Sequence, residues 1–179
     1  MTTQNNATYL KQKDKMPSIC PKEREDEIRE AILQKLYSAE LMYLSTISPD
    51  GWPIVDCIHF TTIKGNNKKP IFYIFTHENV RKIENILNDN RVGISICHAV
   101  SYEQRNETWS FQFMGKATII GDNLEKQLAI NSSREKVGYD FTKYLPLEKQ
   151  PCIKIEPIFG SWMSGQLNPP ACSIDYFAE

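Results

Sequence analysis

The sequence has no long apolar run and almost no net charge, and each absence excludes a class of protein. The longest apolar stretches are strand-sized, such as residues 71–75, and are too short to span a bilayer. Lys and Arg number 21 against 22 Asp and Glu, which argues against a nucleic-acid-binding protein that works through bulk electrostatics. We therefore expect neither a membrane nor a nucleic acid as a partner.

Paired cysteine motifs are also missing. The five cysteines are widely spaced, and no two of them form a CxxC pair. His59, His77 and His98 lack the spacing of zinc ligands, so no metal site is predicted. Residues 1–15 are too polar for a signal peptide. These features predict free thiols and a soluble, cytoplasmic protein.

The length of 179 residues fits one domain. Residues 1–21 are predicted to form a polar N-terminal arm, residues 22–165 a single domain, and residues 166–179 an irregular tail. The arm is either loosely held or wrapped over a partner subunit, and the sequence does not decide between the two.

Hydrophobic periodicity predicts a mainly β protein with helices, of the α+β class. Apolar residues at helical spacing indicate helices at about 22–39, 79–87 and 124–137. Six β-rich runs are found at 41–47, 53–60, 71–75, 91–98, 108–120 and 151–159. Because most are separated by turn-length segments, an antiparallel, barrel-like sheet of six strands is favoured over a doubly wound fold.

Residues 71–82 combine an apolar strand with groups that bind phosphate. The strand is followed by Thr76 and then by the adjacent cations Arg81 and Lys82, at the start of a predicted helix. Free backbone N–H groups and the helix dipole attract anions there, and the two cations add charge-assisted hydrogen bonds. The alternative is a pair of solvated surface cations.

The order and spacing of several sequence blocks resemble the pyridoxamine 5′-phosphate oxidase-like family of FMN-binding split barrels. Four blocks carry the resemblance, at residues 44–53, 75–82, 88–93 and 113–117, and a tryptophan segment follows at 159–162. Together they extend over about residues 39–165. The resemblance implies a split β-barrel and a homodimer with FMN in a groove between the subunits.

The resemblance also implies the cofactor-binding residues. The backbone of residues 54–58 would lie along the flavin ring, and Thr76, Arg81 and Lys82 would hold the FMN phosphate. The implied set is Ile54, Val55, Asp56, Cys57, Ile58, Phe75, Thr76, Arg81, Lys82, Ser110, Gln112 and Trp162. Ser110 has the position of a glutamine in oxidase-like members, and Gln112 is on the same strand face. Trp162 matches a tryptophan near the flavin, but it can equally fill a core.

One departure from the family bears on the substrate. The oxidases carry an arginine- and histidine-rich motif after this tryptophan, whereas residues 164–170 read SGQLNPP. The resemblance therefore implies an FMN-dependent oxidoreductase with an unidentified small organic substrate, and not one that oxidises pyridoxine or pyridoxamine 5′-phosphate. A protein that holds flavin or haem without turnover is the alternative, and a deazaflavin-using relative is a third possibility.

Three polar residues of the predicted strand 53–60 have open roles. His59 is the first candidate for a proton donor or haem ligand, with simple packing as the alternative. Cys57 would be a nucleophile only if it were exposed and activated. Asp56 would be costly to bury unpaired, so we expect it to face solvent or to pair with a cation such as Lys116.

Overall fold

The computed structural model describes residues 19–98, 100–137, 146–164 and 171–176. The helices in this part of the chain are α1 (Lys22–Ser38), α2 (Arg81–Asn88) and α3 (Asn123–Val137). The strands are β1 (Leu41–Ile47), β2 (Pro53–His59), β3 (Thr61–Lys64), β4 (Pro70–Phe75), β5 (Arg91–His98), β6 (Trp109–Ile119), β7 (Cys152–Ser164) and β8 (Ala171–Asp175). Short 3-10 turns occur at Asn66–Lys68, Tyr102–Glu107 and Leu147–Lys149.

All the described strands belong to one curled antiparallel sheet. Its order is β2-β1-β5-β6-β7-β4-β3, and β8 pairs with β7. The long strand β7 pairs with β4 over its first residues and with β8 over its last residues, so it connects these two strands within the sheet. The pairing of β6 with β7 shifts between Met114 and Gly115, where Ile158 of β7 is the extra residue of a bulge, and a Cβ on Gly115 would lie 2.7 Å from the Glu156 carbonyl oxygen. The split-barrel fold predicted from the sequence is confirmed.

The sheet has eight described strands instead of the predicted six. The run 53–60 ends as a strand at His59, and the chain then leaves β1 and forms β3 against β4. The strand β8 lies where the sequence predicts an irregular tail, because the prolines before it obscure its short pattern. Its Cys172 and Ile174 are buried, and the folded part extends to Tyr176, which is 2% exposed.

The described end of the N-terminal arm is attached to the domain. The Cys20 N–H donates to the Ser173 carbonyl oxygen at 2.9 Å, and the Cys20 side chain is buried. Residues 1–18 of the predicted arm are outside the described residues.

The core is enclosed by the concave sheet and α1. Ile28, Ile32 and Leu36 recur at helical spacing and are buried in the main cluster with strand residues such as Phe72 and Phe111. The opposite face of β4 is covered by α3, where the Tyr73 hydroxyl donates to Glu125 at 2.9 Å. The all-apolar pattern of β4 therefore reflects burial on both faces. All five cysteines are free thiols, as predicted. In the described part of the chain, no helix is long and apolar enough to cross a membrane.

Candidate functional site

Part of the outward face of the sheet is not covered by other described elements, and we call this part the open face. It is on β1, β2, β5, β6 and the end of β7, away from the part on β4 that α3 covers. Residues alternate along each strand, so that every second side chain points into the core and the others point outward. The open face is formed by Leu41, Tyr43, Ser45, Val55, Cys57, His59, Gly93, Ser95, Cys97, Ser110, Gln112, Met114, Ser161 and Met163.

A row of side chains crosses this open face. Tyr43 is in register with both Cys57 and Ser95. Ser95 is opposite Gln112, which is opposite Ser161. Four residues of the row line a cleft of about 300 Å³, at the lower end of the range for small-ligand sites: Tyr43, Ser95, Gln112 and Ser161. Cys57 is on the same face as Gln112 but three strands away from it, outside the cleft.

The open face is unusually apolar for a surface. Tyr43 is 48% exposed, Val55 61% and Met163 60%. Leu41, in register with His59 at the start of β1, is 45% exposed. The residues of the open face include no Asp, Glu, Lys or Arg, and exposed apolar side chains on such a face mark a binding or association surface.

The other face of β2 contacts the start of α2. Ile54, Asp56 and Ile58 are half-buried there, and the Asp56 Oδ2 atom is 3.8 Å from the Lys82 Nζ atom. Asp56 therefore pairs with a cation, as expected, but the cation is Lys82 and not the example Lys116, which is on β6, three strands away in the sheet order. The residues predicted to bind phosphate and those predicted to contact the flavin ring are adjacent in space.

The N-terminus of α2 keeps donors available for an anion. Val80 precedes the helix without a side-chain cap, and only the Ile83 N–H of the first turn bonds to Val80, at 3.0 Å. Arg81 is exposed and lines a groove of about 720 Å³ together with Asn79 and Glu84. Thr76 lies just before this segment and donates its N–H to the Pro151 carbonyl oxygen at 3.2 Å.

A buried hydrogen bond fixes α2 on β1. The Asn85 Nδ2 atom donates to the Thr46 Oγ1 atom at 2.8 Å, and both residues are fully buried. Asn85 is one helical turn after Arg81, so this bond helps to position the first turn of α2. The sequence analysis did not identify Asn85. The sequence feature that could have identified Asn85 is a polar residue at a core-facing position of an amphipathic helix.

Two of the predicted site residues, Trp162 and Phe75, are packed in the interior, away from the contact between β2 and α2. Trp162 is 3% exposed and stacks on Phe111 with ring centroids 5.5 Å apart, because it faces the core between the outward-facing Ser161 and Met163. Its packing alternative is therefore the one that the structure supports. Phe75 packs in a second cluster with Tyr73 and Cys152, beneath α3.

The predicted polar candidates are mostly on surfaces. Ser110 and Gln112 both point to the open face, as expected from their spacing. Cys57 and His59 also belong to it, and both are exposed. His98 stacks on Trp109 at 5.7 Å, in keeping with a structural role. Within the described ranges, no group of three or more His, Cys, Asp or Glu side chains could hold a metal ion.

The geometry and the sequence comparison indicate one family. Residues 25–157 match the family described as pyridoxamine 5′-phosphate oxidase. The chain belongs to this family. The match includes β2, α2 and the Asp56–Lys82 contact, whereas Trp162 lies beyond it. A search of curated proteins gives no match.

Solved structures with the same fold differ in what their names say they bind. A haem-binding protein from Mycobacterium smegmatis has a TM-score of 0.64 and 15% identity. The match covers 88% of this chain but only 59% of the length of that protein. HutZ, the haem storage protein from Vibrio cholerae, has a TM-score of 0.56 and 16% identity, covering 72% of this chain and 89% of its own. A pyridoxinephosphate oxidase family protein from Clostridium acetobutylicum, related to general stress protein 26, has a TM-score of 0.60 and 13% identity, covering 86% and 97%. These identities establish the fold alone.

The donor set of this family member fits a phosphate monoester, although the groove beside Arg81 is also lined by Glu78 and Glu84, and one further carboxylate contacts the donors directly. Arg81, Lys82, the Thr76 hydroxyl and the uncapped N–H groups of α2 are the donors that a dianionic phosphate requires. That carboxylate is Asp56, which is within 3.8 Å of Lys82.

Proposed function

We propose that this protein binds FMN where β2 meets the start of α2 and transfers electrons from a reduced nicotinamide or another donor to a small organic acceptor. The carrying observation is the 3.8 Å contact between Asp56 and Lys82. It joins an anion-binding helix start to a strand that can hold a flavin ring. Thr76, Arg81 and Lys82 would hold the phosphate.

The edge position of β2 supports contact with a planar ring. The strand pairs with β1 along its whole length and has no second partner among the described strands. Backbone N–H and C=O groups along its outer edge are therefore available to hydrogen-bond a ring. Bound FMN would supply the redox chemistry, and the chain would orient it and exclude water.

The proposed assembly is a homodimer whose subunits meet on the open face. The exposed side chains of Leu41, Tyr43, Val55 and Met163 would be covered by a second copy, which would also enclose the cleft beside Gln112. A two-fold interface places the same patch of both copies in contact, so each face would cover the other. A cofactor between the subunits would then be shielded from solvent.

The substrate is proposed to differ from that of pyridoxamine 5′-phosphate oxidases. Residues 164–170 carry neither arginine nor histidine, so the chain lacks the motif that binds the substrate phosphate in those enzymes. A small organic acceptor without a phosphate group is consistent with this departure.

FMN titration tests the proposed phosphate site. Arg81→Ala should weaken FMN binding by about 10- to 100-fold, because a hydrogen bond to a charged group contributes roughly 1.5–3 kcal/mol. Lys22→Ala is the matched control, since Lys22 is an exposed cation at the uncapped start of α1. Quenching of flavin fluorescence measures both affinities. Equal FMN affinity in the Arg81 variant and the control would exclude Arg81 from the site.

Haem binding is the second candidate function. His59 lies on the apolar open face in register with Leu41, a position from which an imidazole could ligate a planar ligand. Two of the structural neighbours are named for haem binding or haem storage. A Soret band that appears on haem addition and is lost in His59→Ala, but not in His98→Ala, would favour this function. A protein that binds FMN and gives no Soret band would exclude it.

A further inference from the structure

The Asp56–Lys82 pair places a negative charge inside the proposed phosphate site. Lys82 is one of two adjacent cations at the start of α2, and its side chain is 13% exposed. The Asp56 side chain is 26% exposed. Arg81, by contrast, is exposed and makes no ion pair within the described residues. Before a ligand binds, Lys82 is therefore ion-paired with Asp56, whereas Arg81 is exposed to solvent.

The position of Asp56 on β2 explains why the pair forms. Asp56 is between Ile54 and Ile58 on the half-buried face of the strand, where an unpaired carboxylate would be poorly solvated. Lys82 supplies the nearest counter-charge. The adjacent residues Val55 and Cys57 point to the opposite, open face, so Asp56 is the one of these three that faces Lys82.

The pair has a consequence for ligands that carry a phosphate dianion. Such a ligand must share Lys82 with Asp56 or displace the carboxylate, and it also experiences repulsion from Asp56. The competition for Lys82, together with a smaller contribution from direct repulsion, reduces affinity by about tenfold. A flavin without phosphate, such as riboflavin, would not be affected in this way.

We propose that Asp56 determines the specificity of the cofactor site by holding Lys82 and opposing the phosphate group of FMN. The ratio of FMN affinity to riboflavin affinity is then smaller than it would be if Arg81 and Lys82 acted without Asp56. This inference rests on the proposed function, and it deepens it by assigning a role to a residue of the same site.

The test compares FMN and riboflavin affinities in wild type and Asp56→Asn, measured by fluorescence quenching. Asp56→Asn should tighten FMN binding by about tenfold and change riboflavin binding by less than about twofold. Asp50→Asn is the matched control, because Asp50 is an exposed carboxylate in the turn of the same hairpin. It should leave both affinities unchanged.

A second variant tests whether the effect acts through Lys82. In a Lys82→Met background, the gain from Asp56→Asn should shrink to less than about threefold, because the cation that both anions compete for is gone. Asp56→Ser provides a second substitution if the asparagine variant does not fold, and circular dichroism monitors folding.

Each outcome decides the inference. Unchanged or weaker FMN binding in folded Asp56→Asn, or an equal change for riboflavin, would overturn it while leaving the proposed function intact. In a second outcome, wild type binds neither flavin and Asp56→Asn binds FMN. That result would support the role of Asp56 and reject FMN as the cofactor of the wild-type protein. Failure of both proteins to bind either flavin would overturn both proposals.

Discussion

A single lysine should make the stability of this protein increase with pH in the alkaline range. Lys136, near the end of α3, donates from its Nζ atom to the Phe60 carbonyl oxygen at 3.0 Å and to the Leu36 carbonyl oxygen at 3.5 Å. The ammonium group is also 3.9 Å from the centre of the Phe60 ring. Burial lowers the pKa of Lys136 from 10.5 to about 8, although the nearby Glu40 opposes this change.

The direction and size of the effect follow from the two pKa values. Between pH 8 and 10.5 the unfolded chain keeps a proton on Lys136 that the folded protein has lost, so the free energy of unfolding rises with pH. The difference corresponds to roughly 3 kcal/mol at 1.36 kcal/mol per pKa unit. Because the side chain is only partly buried, solvent screening reduces the expected gain to about 1–2 kcal/mol.

The assay is urea unfolding of wild type and Lys136→Met between pH 7 and 10, followed by tryptophan fluorescence. Burial raises the pKa of Tyr73 and of Cys152, and these groups remove stability at high pH. Both proteins contain them, so their contribution cancels in the comparison. The stability of wild type relative to Lys136→Met should rise by about 1–2 kcal/mol over this range.

The control for this assay is Lys22→Met at the start of α1. Lys22 is an exposed side chain, so its replacement should leave the pH dependence of the free energy of unfolding nearly unchanged. Parallel stability curves for wild type and Lys136→Met would refute the reasoning.

Three further predictions concern the open face and the core. Val55→Arg should convert a dimer to a monomer in sedimentation, whereas the control Leu124→Arg, at a 79% exposed position on α3, should remain a dimer. The same mass for both variants would show that the open face is not the dimer interface. In the monomeric Val55→Arg variant, Cys57 and Cys97 should react with a thiol reagent, and the three buried thiols only after unfolding; five fast-reacting thiols would contradict their burial. Trp162→Phe should cost about 1–3 kcal/mol of stability in urea and leave flavin affinity unchanged, so a selective loss of flavin binding would reject its core role.

Local patterns in the sequence were sufficient for much of the fold. Apolar residues at helical spacing predicted α1, and the alternating or continuous apolar runs predicted six of the strands. Turn signals such as residues 48–51 predicted the β1–β2 hairpin, where Gly51 adopts a φ of 86°. These features depend on neighbouring residues, so they can be recognised without the tertiary structure. The strands β3 and β8 were missed because each is short and follows another signal closely.

The candidate site was predictable only in part. The order of Thr76, Arg81 and Lys82 indicated a phosphate-binding segment, and the spacing of Ser110 and Gln112 placed them on one face. The partner of Asp56 was not predictable, because ion pairs between distant segments depend on how helices are placed on the sheet. For the same reason, the sequence did not show that Trp162 is buried against Phe111.

By itself, the sequence determined the class of fold, the helix that carries two adjacent cations, and the free state of the cysteines. Periodicity and residue type act over a few neighbouring residues, and they are written directly in the chain. Only the tertiary structure decided that Lys82 meets Asp56, that Cys57 and Gln112 share a row, and that Trp162 faces the core. These relations depend on strand register and on the docking of α2 through Asn85, which join residues far apart in the sequence.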